Sequence, residues 1–248
     1  MKAGLELIPV PGLPEIAAGD PLAELIAKRA ALADGDIVAI AQKVVSKQEG
    51  RRALLGAVDS SPRARDLAAR LGKDPALVEL ILAESRRVVR DDRVLIVETT
   101  SGLICANAGI DSSNVGAEGG VLLLPADPDG SARGLRGELQ ALTGKRLATL
   151  ITDSFGRPWR VGQTEVAIGC AGVDPLADWR GRTDRDGREL AATEIALADQ
   201  IAAAADLARD KAAGMPVVIV RGLAELVTEE DGPGAEALQR APADDLFR

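Results

Sequence analysis

Histidine and tyrosine are absent from the 248-residue sequence, and aromatic residues make up 2% of it. Without imidazole there is no Ser-His-Asp or Cys-His catalysis, no imidazole proton shuttle and no His-ligated metal site. A metal bound by such a chain is held by oxygens, which selects Mg²⁺, Mn²⁺ or Ca²⁺. Scarce aromatics leave few platforms on which bases could stack. The cysteines, Cys105 and Cys170, number two, too few for a disulfide framework or a four-thiolate zinc site. Their small apolar flanks read as core in a reducing compartment. The start lacks the apolar stretch of a signal peptide and no apolar run reaches transmembrane length, so the expected location is soluble and cytoplasmic. Positive charge is in deficit as well, with 30 Lys and Arg against 38 Asp and Glu. A surface of net charge −8 disfavours nucleic acid and anionic membranes as partners.

What is present is a globular chain, 46% hydrophobic, with a core large enough to fold without metal or disulfide staples. Ile37–Ala41, Leu147–Thr152 and Pro216–Arg221 are continuous apolar runs that predict buried strands. Val94–Glu98, Leu103–Ala106 and Val121–Leu124 are shorter runs of the same kind. Asp20-Pro21, Ser61-Pro62 and Asp74-Pro75 pair a capping residue with a first-turn proline, so each predicts a helix start. The first of these helices carries an apolar stripe from Leu22 to Ala33 and ends at Gly35. Further helices are expected from Ser131 to Gly144 and from Thr193 to Lys211, the latter the longest. Strands and helices mix without strict alternation, which predicts an α+β fold with mixed, mainly antiparallel sheets and flanking helices.

Neither a Walker-type phosphate loop nor a dinucleotide Gly-x-Gly-x-x-Gly is present. Three polar segments follow strand-like runs. In Gln42-Lys-Val-Val-Ser-Lys47 a lysine can meet a phosphate, or both lysines can line a solvated helix face. In Asn107-Ala-Gly-Ile-Asp-Ser-Ser-Asn114, Asp111 and Asn114 offer hard oxygens or a ribose contact, or make Asx turns. In Thr152-Asp-Ser-Phe-Gly-Arg-Pro-Trp-Arg-Val-Gly-Gln163, Arg157 and Arg160 can clamp phosphate or carboxylate while Asp153 and Ser154 bind a metal. The alternative there is a structural loop whose Trp159 plugs the core. Glu225, after the last strand, is a further candidate oxygen ligand.

These three segments resemble the coenzyme F420-0:γ-glutamyl ligase family, as do Leu7-Ile-Pro-Val-Pro-Gly-Leu-Pro-Glu-Ile16 and Leu123-Leu-Pro-Ala-Asp-Pro-Asp129. The helix from Thr193 and the strand-turn Pro216–Gly222 fit as well. The resemblance implies one ligase domain over 1–248, or two intimately packed subdomains, in an intertwined homodimer. It implies GTP as co-substrate, with F420-0 and L-glutamate as the other small-molecule substrates. Carried over by position, Leu13, Pro14, Glu15, Ile16, Gln42, Lys47 and Asn114 line the GTP site, joined by Arg221 and Gly222. Asp111, Asp153 and Ser154, with Glu225 as the added candidate, hold Mg²⁺ or Mn²⁺; K⁺ is a candidate second ion. Asp153, Arg157, Arg160 and Lys47 are the expected catalytic groups. Ser154 stands where Thr is common and keeps the hydroxyl, while Ser101 replaces a larger side chain. Some relatives carry a second, flavin-reductase-like domain; this chain ends at Arg248, so no FMN is expected.

The chemistry agrees with the composition. An unactivated carboxylate becomes reactive towards an amine as an acyl phosphate, and phosphoryl transfer needs charge neutralisation by metal and cationic side chains rather than imidazole. Two rivals stand beside this reading: a related ligase with a different acidic acceptor, and a non-catalytic nucleotide-binding regulator.

Overall fold

The computed structural model describes residues 4–112, 119–209 and 214–245. In chain order its elements begin with β1 (Glu6–Pro9), α1 (Leu22–Ala27), β2 (Ile37–Ala41), α2 (Gln42–Gln48), β3 (Arg52–Leu54), α3 (Pro62–Leu71) and α4 (Pro75–Ala83). They continue with β4 (Ser85–Arg90), β5 (Ile96–Thr99), β6 (Ile104–Ala106), β7 (Gly120–Leu122), α5 (Pro128–Thr143) and β8 (Ala148–Arg157). The last are β9 (Arg160–Ala171), β10 (Leu176–Asp178), β11 (Glu194–Ala196), α6 (Leu197–Ala208) and β12 (Val217–Arg221). The architecture is α+β with mainly antiparallel pairing, as the element pattern predicts.

The chain divides into two compact units. The first comprises residues 1–14, 22–41 and 129–248. Its five-stranded sheet has the order β1-β12-β2-β8-β9, in which only β2 and β8 run parallel. β2 and β12 are buried over nearly their whole length, which explains their unbroken apolar sequences. One face packs against α6. Ile37, Ala39, Ala148, Leu150, Ala167, Val218 and Val220 meet Ala198, Ile201, Ala202 and Ala205 there. The alanine stripe on α6 lets the helix lie close to the strands, and each fully buried Val, Ile or Leu contributes roughly 1.5–3 kcal/mol. Cys170 belongs to this core, and its thiol is pushed up to about 12 by burial, then by the charges of Asp129, Asp174 and Asp199.

The second unit comprises residues 15–21 and 42–128. It holds the sheet β4-β5-β6, the pair β3-β7, and a core in which Ala64, Leu67 and Ala68 of α3 meet Val78 and Ile81 of α4. Ser61 and Asp74 cap these helices as expected. Ser61 Oγ accepts from the Ala64 N–H at 3.2 Å, and Asp74 Oδ1 from the Ala76 N–H at 2.7 Å.

Four expectations are corrected. Asp20 caps no helix; its carboxylate accepts the Ala17 N–H at 2.7 Å and closes a turn upstream of α1. α1 stops at Ala27, well before Gly35. Among the described residues α5, with 16 residues, is the longest helix, because 194–196 form β11 and α6 keeps only 12. The fourth matters for function. The strand expected to end at Thr152 runs on to Arg157 as β8 and pairs with β9, so the third polar segment is a β-hairpin and not a loop. Among the described residues no helix is long and apolar enough to cross a membrane.

Candidate functional site

In the second unit, α2 organises the predicted residues. Lys43 and Lys47 stand four apart and therefore share one face of the helix. The Lys43 ammonium lies 2.5 Å from Asp111 Oδ2, and that of Lys47 lies 2.6 Å from Glu15 Oε1. Lys47 is nearly covered, with its side chain 9% exposed, whereas Glu15 is 75% exposed. The lysines are thus ion-paired to acids of two other predicted segments, not a bare solvated face. Gln42 is buried beneath them and accepts a hydrogen bond from the Ser46 hydroxyl at 2.9 Å. Ile16 is buried as well, beside the exposed Glu15.

Asp111 is delivered by a strained turn. Asn107, Ala108 and Gly109 all adopt the left-handed region, with φ of 54°, 54° and 66°. For Ala108 this conformation costs about 1–2 kcal/mol, a kind of strain that concentrates where geometry serves function. Beyond the turn, Asp111 exchanges both main-chain hydrogen bonds with Leu122, at 3.0 and 2.8 Å, which anchors the carboxylate next to β7. Asn114 lies outside the described residues.

In the first unit, β8 carries Asp153. Thr152 and Ser154 face α6, continuing the row of Ala148 and Leu150. Asp153, lying between them, leaves the strand on the opposite face, because successive strand side chains alternate. Ser154 donates its hydroxyl proton to Glu165 Oε1 at 2.6 Å. The other carboxylate oxygen of Glu165 receives Arg209 Nη1 at 3.0 Å, and the same nitrogen reaches Thr152 Oγ1 at 3.1 Å. The Ser154 hydroxyl is thus engaged with the Glu165 carboxylate. Glu165 and Arg209 escaped the sequence reading; the one available signal was a lone acid opening the apolar run Val166–Ala171.

Arg157 and Arg160 are brought together as register partners at the hairpin end, both exposed. Pro158 and Trp159 make the turn, with Trp159 at φ 64° and 88% exposed, so Trp159 does not plug the core. Four residues of extended strand separate Arg157 from Asp153, on the order of 13 Å. The two arginines do not flank Asp153.

Arg221, Gly222 and Glu225 are placed elsewhere. β12 runs antiparallel to β2, so its end lies beside the start of β2, whereas Asp153 lies past the end of β2. A strand length of roughly 13 Å therefore divides Glu225 from Asp153, and they cannot ligate one ion. Arg221 is spent on Asp36: its Nε and Nη2 meet the two carboxylate oxygens at 2.8 and 2.7 Å, and Asp36 is fully buried. The pairing raises the Arg221 pKa. Gly222 has φ 102°, and a Cβ there would lie 2.3 Å from the Gly4 carbonyl oxygen, a packing requirement. Arg221→Met is expected to destabilise the protein by about 2 kcal/mol, since it strands Asp36 while the partly exposed pair is discounted for solvent. GTP affinity should stay within twofold by calorimetric titration; a tenfold loss would return Arg221 to the nucleotide site. Leu13 is half-buried and Pro14 exposed, both in the first unit, which the chain leaves directly after Pro14.

The donor chemistry fits a hard divalent ion. Among the described residues no three carboxylates or thiols cluster as a self-sufficient cage. Mg²⁺ and Mn²⁺ commonly take one or two carboxylates and complete their shell with water and substrate phosphates. Asp111 already holds a cation, the Lys43 ammonium.

Comparison with known proteins identifies the chain's family. The family model described as F420-0:Gamma-glutamyl ligase matches residues 12–222. A protein of Methanopyrus kandleri named coenzyme F420:L-glutamate ligase is 48% identical over 247 residues, 98% of each chain. Proteins of the same name from Methanothermobacter thermautotrophicus and Archaeoglobus fulgidus are 46% and 45% identical, over 99% and 98% of this chain and 99% and 96% of their own. The chain belongs to the F420-0:γ-glutamyl ligase family.

Proposed function

We propose that this protein joins L-glutamate to the carboxylate of coenzyme F420-0 at the expense of GTP, and then extends the product through γ-linkages. The observation that carries this reading is near-full-length identity of almost one half to relatives that bear that name. The α2 face, with two lysines set against two acids, is chemically suited to it.

In the proposed reaction an F420-0 carboxylate oxygen attacks the γ-phosphorus of GTP and GDP departs, leaving an acyl phosphate. The glutamate amine, having lost a proton, then attacks the acyl carbon; inorganic phosphate leaves and the amide remains. Asp111 in the second unit and Asp153 in the first are each candidate ligands for a divalent ion, which would supply charge neutralisation at the phosphates. Lys47 meets the anionic nucleotide, and Glu15 restrains its ammonium in one position. Lys43 balances the charge of Asp111. Gln42, braced by Ser46, offers its amide N–H groups to the nucleotide. Arg157 and Arg160, exposed side by side, are suited to an anionic portion of a substrate rather than to the phosphoryl group in flight.

Purified protein incubated with F420-0, GTP, Mn²⁺ and glutamate should yield F420 species with one or more added glutamyl units by mass spectrometry. ATP replacing GTP should give at most a small fraction of that product. A homodimer is part of the proposal and is measured by light scattering on the same preparation. Absence of any glutamylated F420, with the protein folded, would reject the reading; efficient glutamylation of another acidic acceptor would redirect it.

A further inference from the structure

We propose that the buried pair Glu165–Arg209, acting through Thr152 and Ser154, is a positioning clamp that aims Asp153. The inference rests on the reading of Asp153 as a divalent-ion ligand. The two side chains flanking Asp153 on β8 are both tied to this one pair: Arg209 Nη1 holds Thr152 Oγ1 at 3.1 Å and Glu165 holds the Ser154 hydroxyl at 2.6 Å. Both tethers lie on the α6 face. Pinning residues 152 and 154 there fixes the rotation of the strand between them, and alternation then directs the Asp153 carboxylate to the other face. A ligand carboxylate needs this restraint, because supporting groups that orient metal ligands typically change affinity 10–100-fold.

Stability alone is a poor explanation for the pair. The side chains of Arg209 and Glu165 are 6% and 5% exposed. Desolvating two charges offsets much of their attraction, and apolar replacements of similar volume are often neutral or stabilising. The pair is moreover imperfectly satisfied, for Arg209 Nε and Nη2 are buried without a hydrogen-bond partner among the described residues. What it adds over an apolar pair is direction: a guanidinium only donates and a carboxylate only accepts, so the proton of Ser154 must point to Glu165.

The test removes both charges of the close pair at once, since either single change strands its partner; Asp206, 3.9 Å from Arg209 Nη1, is 28% exposed and keeps contact with water. Glu165→Met/Arg209→Met is expected to keep the melting temperature within a few degrees of wild type, yet to weaken Mn²⁺ binding about 10-fold or more. Binding is read by the electron paramagnetic resonance of free Mn²⁺, with no substrate present. Thr152→Val leaves the ion pair intact, strands no charge and is expected to weaken Mn²⁺ in the same direction, while Thr152→Ser restores it. In turnover assays the fall should lie in kcat and in the Mn²⁺ requirement, not in the KM for glutamate. Wild-type Mn²⁺ affinity in the folded double variant would overturn the clamp. Should the double variant fail to fold, wild-type affinity in Thr152→Val would overturn it instead. Asp153→Asn separates the two ideas: if it binds Mn²⁺ as wild type does, the ligand reading of Asp153 fails, whatever the clamp variants do.

Discussion

Asp153→Asn is expected to lower the ligation rate by about three orders of magnitude and leave the fold intact. The substitution keeps the size and shape of the side chain and removes its charge. Strand alternation places Asp153 on the face of β8 away from the Ser154–Glu165–Arg209–Thr152 network, so that network is left in place. Neutralising charge at a transferring phosphoryl group is worth several kcal/mol, and about 4 kcal/mol corresponds to a thousandfold in rate. The check is kcat under saturating GTP and Mn²⁺, together with the melting temperature. Asp111→Asn belongs in the same experiment. It deprives Lys43 of the carboxylate 2.5 Å away, and if the two acids serve one ion, the double variant loses little more than either single one. Full activity in Asp153→Asn would end the proposed role of β8 in the reaction.

Gly109→Ala should have the largest effect on stability, about 3 kcal/mol. Gly109 sits at φ 66°, and a Cβ there would lie 2.6 Å from Leu124 Cδ1 and 2.7 Å from its Cγ. Leu124 is itself buried, with 5% of its surface exposed. A left-handed L-residue costs about 1–2 kcal/mol, and forcing a methyl group into packed surroundings typically adds 1–3. For a chain of this length the melting temperature should drop by roughly 6–12 °C. Because the turn carries Asp111, Mn²⁺ affinity should fall along with it. A melting temperature within 2 °C of wild type would mean that the turn can be rebuilt around a side chain, and the argument that glycine is required there would fail.

The distance between what could be read and what could not is visible along β8. Leu147–Thr152 reads as a strand because its residues are buried on both faces and therefore uniformly apolar. From Asp153 onward the same strand carries polar and small residues, and one-dimensional patterning takes these for a loop. Pairing with β9 supplies what hydrophobicity does not, hydrogen bonds from the facing strand of the hairpin. The same limit hid β4, a short polar strand, and cut the expected final helix back to Leu197. Helix starts at Ser61 and Asp74 were legible because capping is local: the side chain and the N–H groups it satisfies lie within three residues.

The absence of histidine, the acidic surface, the apolar strands and the motif strings that place the chain in its family were all present in the sequence alone, since they depend on residue type and short spacing. Which of those residues stand together was decided only by tertiary structure. Lys43 meets Asp111, 68 positions further along the chain, because α2 and the left-handed turn pack into one unit. Arg221 is claimed by Asp36, and Glu225 is carried to the far end of the sheet from Asp153, because β12 runs against β2. Strand direction and the alternation of side chains across a pleated sheet, rather than chemical type, determine which acids can share a task.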